Sequence, residues 1–177
     1  MAIENNPATH PTERDFSIIR VYHAPRALVF QALTEADRLA QWWGPKDFTM
    51  LVAKLELRPG GVFHYCMEAP AGHPMKGKMW GKFVYREIVV PERIVFVNSF
   101  SNAEGGTTRH PLSATWPLEV LNTLTLTEQA GHTTLTLRDG PINASAEERK
   151  TFFSSFASMQ QGFKGTLDQL EEYLKQK

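Results

Sequence analysis

The stretch SAEERKTFFSSFASMQQGFKGTLDQLEEYLKQ, Ser145 to Gln176, decides how the rest of the chain is read. Ser145 followed three residues later by Glu148 is a capping box, in which side chains satisfy free backbone N–H groups at a helix start. Phe152, Phe156, Met159, Phe163, Leu167, Leu170 and Leu174 then recur at spacings of three and four, which places all seven on one helical face. Glu147 and Glu148 lie at the positive end of the helix dipole, Lys175 and Lys177 near the negative end, and Glu171 is one turn from Lys175. The pattern predicts one helix of about 30 residues, roughly 45 Å long. An apolar stripe of that length left in water would drive aggregation, so it requires an equally long apolar surface to lie on.

The upstream sequence supplies one. Phe16 to His23 is rich in β-branched and aromatic residues and reads as a strand. Pro25 suits the first turn of a short helix whose apolar face is Leu28, Val29, Ala32 and Leu33. Thr34 with Asp37 reads as the cap of a second short helix, which runs to Trp42-Trp43 and stops at Gly44-Pro45. From Phe48 the period falls to two. Leu51, Ala53, Leu55 and Leu57 alternate with Val52, Lys54, Glu56 and Arg58, and Arg58-Pro59-Gly60-Gly61 makes a turn. Phe63, Tyr65 and Met67 share one side of the next strand, and Val62, His64 and Cys66 share the other. Further strands are expected at Lys78 to Val90, Ile94 to Phe100, Leu118 to Thr127 and Thr133 to Arg138. Ser101 to Pro117 reads as a long irregular segment, a length that is usually functional or disordered. Hairpin-paired strands with helices set apart from them define an α+β architecture.

Composition bounds the function. The 177 residues fit one domain, and 42% hydrophobic with 21% charged content is ordinary for a globular chain. Lys plus Arg and Asp plus Glu both count 19, and no basic stripe is present, which argues against a nucleic-acid partner. No apolar run approaches the roughly 18 residues of a membrane span. Residues 1–14 are polar and contain Pro7 and Pro11, so they are expected to be a disordered leader before a single domain over 15–177, without a secretory core. That points to the cytoplasm. Cys66 is the only cysteine, so neither an internal disulfide nor a cysteine-based zinc site is expected. A homodimer is left open.

Several motifs, taken together, carry a resemblance. They are Ala24-Pro25, Leu39-x-x-Trp42-Trp43-Gly44-Pro45, Leu57-Arg58-Pro59-Gly60-Gly61, the run Arg86 to Val95, Thr133-x-Leu135-Thr136-Leu137, and Gln161-Gly162-Phe163. Over roughly residues 16 to 176 the chain resembles the START-like, Bet v 1-like (SRPBCC) superfamily. Within it, the chain is similar to the family named after the C-terminal domain of the activators of the heat-shock protein 90 ATPase. Many relatives have Gly-Trp where this chain has Gly162-Phe163. The resemblance implies a helix-grip fold: a curved seven-stranded antiparallel sheet with two short helices, wrapped around the long C-terminal helix, with a cavity between sheet and helix.

Candidate site residues follow from the shape mismatch. A curved sheet and a straight helix cannot touch along their whole length, and where they diverge side chains or a ligand must fill the gap. Phe63, Tyr65 and Met67 from the sheet and Phe156, Met159 and Phe163 from the helix are an apolar lining suited to a small apolar molecule. Trp43 is placed at the cavity mouth, and Trp116, in the long irregular segment, at a lid over it. Asn98 and Asn122 interrupt apolar rows and are candidates to orient a ligand, because a buried amide needs a partner. Gly162 flanks the helix's apolar arc, where its small size suits close approach of a sheet residue or cavity space. His64 and Cys66 are expected on the solvent side. No nucleophile elbow, phosphate loop or dinucleotide fingerprint occurs, and no carboxylate pair is arranged as acid and base, so no catalytic residue, metal or cofactor is expected. Three functions fit: apolar-ligand binding, a cyclase- or hydrolase-like reaction in the same cavity, and a co-chaperone-like protein interaction.

Overall fold

The computed structural model describes residues 15–74 and 77–177; the expected leader, 1–14, lies outside them. In chain order the elements are β1 (Phe16–Tyr22), α1 (Arg26–Thr34), α2 (Ala36–Trp42), β2 (Thr49–Leu55), β3 (Val62–Glu68), β4 (Lys78–Val89) and β5 (Arg93–Ser101). They continue with β6 (Thr107–Thr108), β7 (Glu119–Gln129), β8 (His132–Ile142), α3 (Ala146–Ser154) and α4 (Phe156–Leu174). The seven long strands form an open, curved antiparallel sheet in the order β1-β8-β7-β5-β4-β3-β2. The two-residue β6, inside the segment expected to be irregular, pairs with the end of β5.

The register gathers the apolar rows on one face. Phe63 pairs with Phe83, Phe83 with Asn98, Phe96 with Asn122, and Leu124 with Leu137, so alternate residues of five strands share the inner surface. The core holds Phe63, Phe83, Phe96 and Leu135 from this face, with Val29, Leu39 and Trp42 from the short helices and Leu170 from α4. Thr34 does not cap α2. It ends α1, where its hydroxyl donates to the Phe30 carbonyl at 2.7 Å, and the α2 N-cap is Glu35 without a side-chain bond.

The capping box forms as its spacing predicts: the Glu148 N–H donates to Ser145 Oγ at 3.1 Å, and the Ser145 N–H donates to the Glu148 carboxylate at 2.8 Å. The single long helix does not form. Ser155, with φ −96° and ψ 3°, separates α3 from α4. Ser154 and Ser155 both turn their hydroxyls back onto the Thr151 carbonyl, at 3.0 and 2.7 Å, and such back-bonding bends helices. Phe152 is wholly buried on α3 beside Phe16 and Val120, which pins α3 to the sheet at its own angle.

The helical stripe is therefore buried at its ends and not in its middle. Phe152, Leu167, Leu170 and Leu174 are buried, whereas Phe156, Met159 and Phe163 are half-buried. The C-terminal half of α4 packs on α1, α2 and β1. Arg20 of β1 forms an ion pair with Asp168, and Arg38 donates to the Tyr173 hydroxyl at 3.1 Å. Thr166 and Gln169 both donate to the Gly44 carbonyl, which ties the turn after α2 to the helix. Gly44 has φ 106°, and a Cβ there would lie 2.8 Å from the Met67 sulfur.

Gly162 does not receive a sheet residue. It is exposed, and neither it nor Gly165 has an atom within 4 Å of where a Cβ would stand. Gly162→Ala and Gly165→Ala are each expected to raise stability by about 0.5–1 kcal/mol, measured as a higher urea midpoint at unchanged slope. A lower midpoint at either position would contradict the open surroundings.

Candidate functional site

A cavity of about 60 Å³ lies between the inner sheet face and α4. Its floor is Phe83, Tyr85, Phe96, Leu124, Leu135 and Leu137, its sides are Leu33, Leu39 and Trp42, and Leu167 closes it. Trp43, Phe163 and Asn98, all half-buried, also line it and mark where it meets the surface, beside the middle of α4. Asn122, 3% exposed, lines the interior.

Of the residues singled out in the sequence, Trp43, Asn98, Asn122 and Phe163 meet at this cavity. Phe63 and Tyr65 lie behind it in an aromatic block. Their rings stack at 4.9 Å, Phe63 meets Phe83 edge-on at 5.2 Å, and Trp43 stands edge-on to Phe83 at 5.5 Å. Tyr65 lies across the backbone of Gly81, where a Cβ would come within 2.6 Å of its ring. Burial pushes the Tyr65 hydroxyl up to about 12, against a hydrogen bond from Trp43 that lowers it. Met67 is half-buried beneath Gly44. Phe156, Met159 and Trp116 belong to the second cluster, around Phe16, Val120 and Phe152. Trp116 packs on Phe152 at 5.5 Å and so anchors the long segment onto α3.

His64 and Cys66 are on the outer face but are not solvated. They are 8% and 3% exposed. The His64 ring stacks on Trp80 at 4.9 Å, and its Nε2 lies 3.1 Å from the Asn102 carbonyl. Burial raises the Cys66 thiol, the reverse of what a reactive thiolate requires. Among the described residues no three metal-ligating side chains converge.

Three polar groups break the apolar wall: the Tyr85 hydroxyl and the amides of Asn98 and Asn122. Tyr85 is 3% exposed and is the one titratable residue among the described lining residues; burial raises its hydroxyl, so it stays protonated at neutral pH. Asn122 Nδ2 donates to the Val120 carbonyl at 3.4 Å, a long bond that leaves most of its capacity unused. Tyr85 continues the inward row of Gly81 and Phe83, and that alternation was a usable signal for it.

Next to Asn122 stands a second group without an early signal. Asp139 is paired across the sheet with Asn122 on one side and Phe16 on the other. It is 2% exposed, and its Oδ1 accepts no hydrogen bond among the described residues. Burial first, and then the negative charge of Asp15, hold its carboxyl well above the usual carboxylate range. The folded state thus keeps a proton that the unfolded chain releases, so stability falls as pH rises from the ordinary carboxylate value toward the raised one. Asp139→Asn removes the charge. It is expected to flatten this decline and to be more stable than the parent at pH 8, with the difference shrinking toward pH 4, in urea denaturation across pH. Equal pH profiles for the two proteins would contradict it.

The sequence matches the family model of Activator of Hsp90 ATPase homolog 1-like proteins over residues 23–175, and the chain belongs to that family. No curated protein matches it. Solved structures share the fold. Protein Ms6760 from Mycobacterium smegmatis is 23% identical, with 89% of this chain and 88% of that one covered at a TM-score of 0.71. A protein from Arthrobacter aurescens, solved by NMR, is 21% identical over 92% and 87% of the two chains at 0.75. Protein NE0264 from Nitrosomonas europaea is 23% identical over 94% and 97% at 0.71. The helix-grip architecture expected from the motifs is thus the family's own, and no helix among the described residues is long and apolar enough to cross a membrane.

Proposed function

We propose that this chain is a small-molecule-binding domain whose apolar ligand lodges between the inner sheet face and α4. One observation carries the reading: the cavity wall is apolar except for a tyrosine hydroxyl and two carboxamides, which can orient a ligand but cannot exchange protons at neutral pH. Acid–base turnover requires a group whose proton moves near the working pH, and Tyr85 is held away from that range. At about 60 Å³ the hollow is small beside the roughly 300–1,000 Å³ of ordinary ligand sites, so an occupant larger than a few atoms enters by displacing Trp43 and Phe163. Both border the stretch of α4 that is only half-buried.

A thermal-shift screen of small apolar alcohols, ketones and phenols tests this. A ligand at one hundred times its Kd stabilises the folded state by about 2.7 kcal/mol. Leu124→Trp, which fills the cavity, is expected to abolish the shift while keeping the native circular dichroism spectrum. Binding that survives the filled cavity, or no stabilising compound at all, would overturn the proposal.

A second reading, a protein partner on the outer sheet face, has its own observation. That face carries a broad groove of about 780 Å³ bordered by Arg93, Arg138 and Arg149, and neighbouring Ile19 and Val21 are 62% and 55% exposed. A partner of the co-chaperone kind predicts that the purified protein raises the ATP turnover of a heat-shock protein 90, and that Arg138→Glu abolishes the increase. Unchanged turnover removes that partner.

A further inference from the structure

Two histidines far apart in the sequence meet at one corner of the sheet. Tyr22 pairs with Thr133 at the end of the β1–β8 register, so His23 and His132 are the next residues on the two strands. Their rings lie 4.4 Å apart, centre to centre, at 69° to each other. Both residues are exposed, and neither lines the hollow between the sheet and α4.

The backbone under the pair is fixed by its neighbours. Thr133, wholly buried beside His132, donates its hydroxyl to the carbonyl of Ala24, beside His23, at 2.7 Å. Tyr22, 1% exposed, precedes His23, and its hydroxyl donates to the Leu167 carbonyl at 3.3 Å. His132 follows a two-residue turn, Ala130-Gly131, with φ 52° and 76°, the left-handed conformation that joins tight hairpins. Glu128, before that turn, accepts from the Arg26 N–H at 2.8 Å, which ties the hairpin to the start of α1. The folded backbone thus sets the separation of the two histidines, and a preset separation lowers the ordering cost of binding.

One of the rings is also oriented. His132 Nδ1 lies 2.9 Å from the Ala130 carbonyl. A carbonyl only accepts, so Nδ1 carries the proton of the neutral ring and Nε2 keeps its lone pair. Metal-ligating imidazoles are held in this way, with one nitrogen bonded to a carbonyl or carboxylate and the other turned to the ion. The His23 ring makes no hydrogen bond among the described residues, so it can turn to bring a nitrogen to the same point.

The spacing selects the ion. Nitrogen–metal bonds of about 2.0 Å put the centres of two cis imidazoles about 4.5 Å apart at a right angle and about 5.2 Å apart at the tetrahedral angle. The observed 4.4 Å fits the right angle, the geometry of tetragonal Cu²⁺ and Ni²⁺ and not of four-coordinate Zn²⁺. We propose that His23 and His132 form a two-imidazole site for a divalent transition-metal ion, Cu²⁺ above the others, with water in the remaining positions. The general order of divalent affinities at nitrogen sites also places Cu²⁺ first. Bound there, the ion clips the end of β1 to the β7–β8 hairpin and stabilises the fold by mass action.

The test is titration of the tag-free full chain with copper(II) sulfate by calorimetry, with electron paramagnetic resonance of the one-to-one complex. One saturable equivalent is expected, with nitrogen hyperfine structure from two imidazoles. His23→Asn and His132→Asn are each expected to weaken the ion at least about tenfold and to leave the hyperfine structure of one imidazole. His10→Asn, outside the described residues, is expected to change neither reading. Both site residues are exposed, so their variants keep the parent circular dichroism spectrum. Leu124→Trp, which fills the hollow, is expected to leave copper binding unchanged, so the fates of the two sites are separable. The site is ruled out by the absence of saturable binding, by hyperfine structure from a single imidazole in the parent chain, or by unchanged affinity in either site variant.

Discussion

The structure depends on how one apolar stripe is buried. The helical segment is fastened at both ends, by Phe152 on the sheet and by Leu167, Leu170 and Leu174 on α1, α2 and β1. Between these anchors Phe156, Met159 and Phe163 are half-buried. A curved sheet bridged at two points leaves a gap under the bridge, and Tyr85, Asn98 and Asn122 look into the space that remains. Burial of each large anchor is worth about 1.5–3 kcal/mol, and in the middle Phe156 and Phe163 meet the sheet at Phe16 of β1, with ring centroids 5.5 and 5.6 Å away, beside the hollow.

Polar ties fix the same arrangement from the sides. Arg20 pairs with Asp168, Arg38 bonds Tyr173, and two side chains of α4 converge on the Gly44 carbonyl. The last of these positions Trp43, the residue next to Gly44, at the edge of the cavity. Family membership and a fold shared at 21–23% identity give the frame. A shared fold does not carry a shared chemistry, so the hollow is read from this chain's own lining.

Most of the frame was legible in the sequence because period and parity are local. Alternation assigned Phe63, Tyr65, Asn98 and Asn122 to the inner face, and the Ser145–Glu148 box set where α3 starts. The break at Ser155 was not legible, because the three-and-four spacing of apolar residues runs through it unbroken. The bend comes from two adjacent serines bonding backward. That bend sends Phe156 and Met159 to the cluster around Phe16 instead of the cavity. Parity also gives a face and not a depth. Phe63 and Tyr65 point inward as expected yet sit behind Phe83, since β3 lies near the far edge of the sheet. Asp139 was missed because the last strand was expected to end at Arg138, whereas β8 continues to Ile142 and carries the carboxyl into the interior.

The existence and location of the hollow can be measured without knowing any ligand. An apolar cavity of this kind takes up xenon under pressure, and a xenon-pressurised crystal should show one atom enclosed by Leu124, Leu135 and Phe163. A crystal with no xenon in that space, and continuous side-chain density from Leu124 to Phe163, would show that sheet and helix close completely and would contradict the central claim.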